Sequence, residues 1–403
     1  FLGLELVSIP TYILLYLGRR DVLAREATAK YFFLSILASA LLLYGLTFFY
    51  GATGSMDLAA GAELLGVGPL AGIALVLIFA GLGFRITAVP FHFYAPDVYQ
   101  GTTHGNAGLL SIIPKIAGLV AIVRLTTVII AVPDLAPYAW RVALALSIVT
   151  MTLGNFMALW QDNVRRLMAY SSIAHAGYLL IALAVFLAPG PTLPAAWDGV
   201  SALLLYLLVY AVATIGTFAA LAALGHEDKQ IDGVDELAGL AWTGGTVRPM
   251  MAWCMAAFMF SLAGIPPLAG FWGKLAIFSS ALGVGGEAGG LRGWFIALAV
   301  IGVLNAAVAA AYYLRIVGVM FFRLPLATPG VKRGAGGAGL AAVVCGLLVL
   351  LIGLGPTAWI RKATQARPGG RGAFSVEESS KPFRLIRHDH RLPSPSIAPG
   401  SDC

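Results

Sequence analysis

Apolar residues run along this chain in long blocks, each near the ~20 residues that a membrane-spanning helix needs. Ten such blocks can be read, at about 1–18, 28–50, 69–89, 107–132, 137–160, 166–188, 197–224, 248–283, 293–322 and 336–360. Short polar stretches separate them. The third and eighth blocks are interrupted. GLGFRITAVPFHFYAPDVYQG carries Pro90 and Pro96, and SLAGIPPLAGFWGKLAIF carries Gly264, Pro266, Pro267 and Gly270. Proline removes a backbone donor and glycine weakens a helix, so each stretch predicts a broken helix. The two breaks lie about 180 residues apart, each beside an ionisable residue. Paired interruptions of this kind point to repeats with a site near the bilayer midplane.

Composition narrows the class. Hydrophobic residues make up 59% of the 403 residues and charged residues 11%, against roughly 25% charged in an average soluble protein. Mean hydropathy is +0.86. So few charges cannot cover a soluble protein of this size, and disorder, a coiled coil and a secreted disulfide scaffold are excluded as well. Cys254, Cys345 and Cys403 show no metal or CxxC spacing. What remains is an all-α polytopic membrane protein with about ten transmembrane helices. Phe1 already lies inside an apolar block, which predicts that an N-terminal part is missing.

The net charge of +7 is mostly loop charge. With the first helix ending in the cytoplasm, the cytoplasmic loops hold ten Lys/Arg (Arg19, Arg20, Arg25, Arg165, Arg166, Lys229, Arg248, Arg323, Lys332, Arg333) and the opposite side two, Arg141 and Arg292. That is a positive-inside pattern, and it argues against nucleic acid as the partner. Ten crossings put both ends outside. A transmembrane domain is expected over 1–362, and a polar, disordered tail over 363–403. Six Lys/Arg between 366 and 403 then lie on the outer side, against the charge rule.

Ionisable residues inside the apolar blocks cost roughly 2.5–3.5 kcal/mol each at the bilayer centre, so each needs a reason. Lys115 follows Pro114, deep in its block. Either it snorkels to the interface, or it takes and releases a proton. Lys274 lies one turn past the second break and reads as a pathway residue. Arg85 lies before the first break. A guanidinium stays charged, so it can hold a carboxylate but not relay protons. Glu5 is a carboxylate able to neutralise a buried cation, or an end-of-helix glutamate in water. Lys30 follows Glu26 at i+4, a favourable helix pair, and snorkelling serves it as well as function. His175 shares a helix face with Ser171 and Tyr178. It is read as a bundle hydrogen-bonding residue or as a proton relay. Arg124 and Arg315 are read as helix-end residues or members of fixed pairs, and His92 as lining a cytoplasmic entrance.

FLGLELVSIPTYIL, EATAKYFFLSILASALLLYG, GLGFRITAVPFHFYAPDVYQG, RRLMAYSSIAHAGYLL, SLAGIPPLAGFWGK and AAYYLRI together resemble the subunit N family of NADH-quinone oxidoreductase, respiratory complex I. The resemblance runs from Phe1 to about residue 360. APDVYQG favours subunit N over the sister subunits L and M and over Mrp antiporters. It implies a fourteen-helix fold with inverted five-helix repeats, each holding a broken helix, so that four helices precede Phe1. It also implies a proton-translocating subunit driven by quinone reduction elsewhere in the complex. Glu5 falls on the carboxylate of the fifth family helix, Lys115 on the central lysine of the eighth and Lys274 on the lysine of the broken twelfth. Glu26 and Lys30 match family positions too. Arg85 falls where the seventh helix carries lysine, and this departure predicts a fixed countercharge to Glu5. Lys115 and Lys274 would then carry the proton, through polar groups such as His175.

The resemblance further implies no cofactor in this chain, with NADH, FMN, iron–sulfur clusters and quinone in partner subunits. Partners would be the antiporter-like subunit M, small subunits such as K and J, and the lipid of a bacterial inner membrane. Two alternatives stand beside it: a stand-alone cation/proton antiporter subunit of the Mrp type, and a non-pumping structural subunit in which Arg85 has disabled transfer.

Overall fold

A chain in hydrocarbon must satisfy its backbone polar groups internally, so apolar blocks become helices. The computed structural model describes residues 1–57, 61, 69–130, 136–189, 197–225, 230–243, 245–285, 290–325 and 336–365. Among these the ordered elements are helices: α1 (Leu2–Gly18), α2 (Val22–Thr53), α3 (Pro69–Ile86), α4 (Ala95–Gly101), α5 (His104–Ile130), α6 (Ala136–Leu159), α7 (Val164–Leu187), α8 (Gly199–Leu224), α9 (Val247–Ala263), α10 (Ala269–Leu282), α11 (Leu291–Phe322), α12 (Gly336–Leu354) and α13 (Pro356–Gln365). Seven of the described helices are long and apolar enough to cross a membrane unaided, and α1, α3 and α9 are shorter apolar helices.

Both predicted interruptions are present. The third block stops at Ile86, where Thr87 turns the chain with a left-handed φ of 59°, and resumes as α4 after a turn. The eighth block divides into α9 and α10 across Gly264–Leu268. Gly264 caps α9 at φ 91°, a conformation that costs a residue with a Cβ roughly 1–2 kcal/mol. The last block also divides. α12 ends at Leu354 and the short α13 follows, carrying Arg361 and Lys362.

α7 lies at the centre. It is almost wholly buried, the mark of a helix enclosed by other helices. It packs closely on α6 through Gly154 and Gly177: a Cβ on Gly177 would come within 2.5 Å of the Met151 backbone nitrogen. Small residues allow this approach of two backbones in a membrane. Serine, histidine and tyrosine on α7 therefore have no route to water except through other side chains.

Arg165, counted above as loop charge, is 1% exposed. Its guanidinium bonds Asp232, the Thr102 carbonyl and, at 2.8 Å, Gln230 Oε1, and so ties the 230–237 segment over the end of α7. Arg315 is tied to the Leu159 and Gln161 carbonyls at the end of α6. The expected tail lies outside the described residues except for Ala363, Thr364 and Gln365, which close α13. Lys229, Lys332 and Arg333 lie outside them as well.

Candidate functional site

The first group forms where α1, α2 and α3 meet. Arg85 Nη2 lies 2.8 Å from Glu5 Oε1, with side-chain exposures of 2% and 21%. The same nitrogen donates to Ser39 Oγ at 2.8 Å, Ser39 donates to Glu5 Oε1 at 2.5 Å, and Arg85 Nη1 donates to Ser8. Charge, hydroxyls and fork geometry are thus all used, which an arginine does better than a lysine.

Glu26 and Lys30 do not join that pair. Lys30 Nζ lies 2.6 Å from Glu26 Oε1 and 2.6 Å from Asp97 Oδ2 on α4. Asp97 Oδ1 in turn takes Arg166 Nη1 at 2.6 Å. Burial works against the Asp97 carboxylate, but the hydrogen bonds from Lys30 and Arg166 outweigh it and hold its pKa below the ordinary value. The result is an ionic clasp that pins the short α4 to α2 and α7. Sequence reasoning missed Asp97, although it sits inside APDVYQG.

Lys115 is 1% exposed. Its ammonium donates to the Ser172 carbonyl at 2.5 Å and to the Ser172 hydroxyl, and lies 5.3 Å from the Tyr210 ring centroid. The carbonyl that holds it belongs to α7. Tyr210 donates to Ser172 Oγ at 2.8 Å, and Tyr99 lies 3.4 Å from the same oxygen.

His175 is one turn further along α7. Its Nδ1 lies 2.6 Å from the Tyr206 hydroxyl and its Nε2 2.9 Å from the Tyr313 hydroxyl, which also bonds Ser171. Its ring centroid is 4.7 Å from that of Tyr210. Lys274 is 5% exposed. It donates to the Ala263 carbonyl at 2.8 Å, one of the acceptors left over where α9 stops, and lies 5.2 Å from the Tyr178 ring centroid. A cavity of about 10 Å³, the size that admits about one water, is lined by His175, Tyr206, Tyr210, Ser261, Gly270 and Lys274.

Lys115, Ser172, Tyr210, His175 and Lys274 thus follow one another across the buried centre, with hydroxyls, an imidazole and a water-sized space between the lysines. No carboxylate among the described residues pairs with either lysine. Ser172, Tyr206 and Tyr210 were not singled out from the sequence. The spacing of Tyr206 and Tyr210 at i, i+4 on an apolar helix was the available signal. His92 is half-buried beside the first break, with its Nδ1 enclosed and no hydrogen-bond partner among the described residues.

Comparison with known proteins places this geometry in context. Residues 1–305 match the family described as NADH:quinone oxidoreductase/Mrp antiporter, transmembrane. NADH-quinone oxidoreductase subunit N of Paramagnetospirillum magneticum is 41% identical over 334 residues, covering 81% of this chain and 64% of that protein. Subunit N of Beijerinckia indica is 38% identical over 368 residues, covering 91% and 72%. The chain thus spans less than two thirds of the P. magneticum relative's length. A chain of respiratory complex I from Thermus thermophilus with bound aureothin superposes with a TM-score of 0.72 at 35% identity, covering 89% of this chain and 73% of that one. A chain of the Mrp complex from Dietzia sp. DQ12-45-1b superposes at 0.76 with 22% identity, a likeness of fold.

Proposed function

The chain belongs to the transmembrane family shared by NADH:quinone oxidoreductases and Mrp antiporters, within it to the subunit N group, and on that premise we propose that it moves protons across a bacterial inner membrane. It would do so as a membrane-arm subunit of an NADH:quinone oxidoreductase, beside the antiporter-like subunit M and small subunits such as K and J. NADH, FMN, iron–sulfur clusters and quinone would be held by other subunits.

The observation that carries this reading is the polar sequence joining Lys115 to Lys274 through Ser172, Tyr210 and His175. Each lysine rests on a carbonyl and an aromatic ring. A proton that leaves Lys115 has the Ser172 and Tyr210 hydroxyls beside it, then the His175 imidazole, then the small cavity, then Lys274. Arg85 holds Glu5 as an ion pair and does not exchange protons. A shift of that pair changes the field at Lys115, and with it the charge state that the lysine prefers.

The test is proton stoichiometry in the assembled complex. Lys115→Ala and Lys274→Ala are each expected to lower protons moved per electron pair while quinone reduction continues. Unchanged stoichiometry in both would favour the second reading, a non-pumping membrane subunit, which the guanidinium at position 85 favours on its own. Co-purification with quinone-reducing subunits separates both from a stand-alone antiporter.

A further inference from the structure

A second polar network touches the Lys274 end of this path without belonging to it. Its centre is Asn155 of α6, fully buried where α6, α7 and α11 meet. Asn155 Nδ2 donates to the Tyr178 hydroxyl oxygen at 3.4 Å and to Asn305 Oδ1 at 3.1 Å, and its Oδ1 accepts from the Tyr312 hydroxyl at 3.0 Å. Asn305 is fixed in turn, donating to Thr152 Oγ1 at 3.2 Å and to the Ile301 carbonyl at 3.0 Å. Both amide protons of Asn155 are therefore used, one toward α7 and one toward α11, and only an amide supplies two donors and an acceptor at one point.

Of the two tyrosines it holds, Tyr178 reaches the path directly and Tyr312 reaches it through Tyr313. The Tyr178 ring lies 5.2 Å from the Lys274 ammonium. Tyr312 packs on Tyr313 with centroids 4.4 Å apart, and the Tyr313 hydroxyl lies 2.9 Å from His175 Nε2. One amide thus holds groups at both ends of the His175–Lys274 step.

We propose that Asn155 is a positioning residue for proton transfer between His175 and Lys274, a role that rests on the reading of Lys274 as a proton carrier given above. An aromatic face favours an ammonium over a neutral amine, so the placement of the Tyr178 ring sets how firmly Lys274 keeps its proton. The Tyr312–Tyr313 pair sets where the His175 ring points. Asn155 fixes the two together. The titratable groups around Lys274 are His175 and Tyr178 on α7, Tyr206 and Tyr210 on α8, and, behind His175, Tyr312 and Tyr313 on α11. Asn155→Asp would add a carboxylate to them at constant size while removing both donors.

The experiment uses the assembled complex in lipid vesicles, with protons moved per electron pair followed against pH. Asn155→Asp is expected to raise the alkaline limb of the pumping profile by about one pH unit, because the new carboxylate favours the charged lysine. Asn155→Leu is expected to lower protons moved per electron pair to the level of the Lys274→Ala control, because the transfer partners are displaced. If Asn155→Leu does not assemble, Asn155→Asp alone decides. A wild-type pH profile per assembled complex in Asn155→Asp, beside a Lys274→Ala control that has lost pumping, would overturn the role of Asn155 and leave Lys274 standing. A Lys274→Ala control that pumps like wild type would overturn the underlying reading, and this proposal with it.

Discussion

The Arg85 guanidinium and the Glu5 carboxylate meet at 2.8 Å between α3 and α1, with the Ser39 hydroxyl bonded to both. Removing one member of a buried pair leaves the other uncompensated, at a cost of roughly 3–5 kcal/mol. Glu5→Gln is therefore expected to lower the thermal stability of the assembled subunit more than Arg85→Lys, which keeps the charge. Arg85→Lys should retain proton pumping and Arg85→Ala should lose it. Arg85→Ala pumping like wild type while Arg85→Lys does not would contradict the fixed-countercharge role.

On the proposed path Lys115 and Lys274, unlike Arg85, would have to change charge. Lys115→Arg preserves a cation against Ser172 and Tyr210, but a guanidinium does not release its proton. It is expected to assemble normally and to pump no better than Lys115→Ala. A proton-to-electron ratio equal to wild type in Lys115→Arg would show that this lysine acts as charge alone.

The second helix break tests the geometry around Lys274. A Cβ on Gly264, at φ 91°, would lie 2.8 Å from Lys274 Cδ, and one on Gly270 would lie 1.6 Å from the Ser261 carbonyl oxygen. Gly264→Ala is expected to cost roughly 1–2 kcal/mol from the left-handed backbone alone and to displace the lysine. Gly270→Ala meets backbone that cannot yield, and should prevent assembly. Thermal melts and membrane content of the two variants would rank them, and Gly270→Ala being the milder would refute the packing argument.

The Asp97 clasp gives a pH dependence. Burial raises and the Lys30 and Arg166 hydrogen bonds lower its carboxylate pKa, with a net value below the ordinary 3.8. The folded-state value thus lies under the unfolded one. The stabilisation is complete above about pH 4 and is lost as pH falls through the lowered folded value. Hydrogen-exchange protection over residues 95–101, taken relative to the intrinsic rate at each pH, should fall on acidification, and Asp97→Asn should lower it at neutral pH and remove the acid step. Equal exchange in both proteins across the range would show that the clasp does not hold α4.

Much of this was legible in the sequence, for reasons that differ by residue. Helix breaks announce themselves through Pro90 and Pro266–Pro267, because proline acts locally whatever surrounds it. Buried lysines stand out because charge is rare in apolar blocks. The pairing of Arg85 with Glu5 was legible through the family resemblance, which sets a cation at position 85 to meet the carboxylate of the first helix. What sequence could not give was the partner of an uncharged group. Ser172, Tyr210 and Asn155 are ordinary in any helix, and only the packing of α7 among its neighbours brings Ser172 and Tyr210 to Lys115 and Asn155 to Tyr178 and Tyr312. Asp97 escaped for another reason: it lies outside the apolar blocks, where a carboxylate does not stand out.

The stopping of α9 at Ala263 leaves a bare carbonyl, and that carbonyl is what Lys274 rests on. A dipole differs from a carboxylate as a resting place. Were the lysine to give up its proton, no anion would be stranded beside it, and were it to take one up, no ion pair would have to be pulled apart first. The chain therefore keeps two kinds of positive charge: one locked to an opposite charge at Glu5, the other poised on neutral groups. Only the poised kind could be tipped by a modest change in field, and the broken helix supplies its resting place.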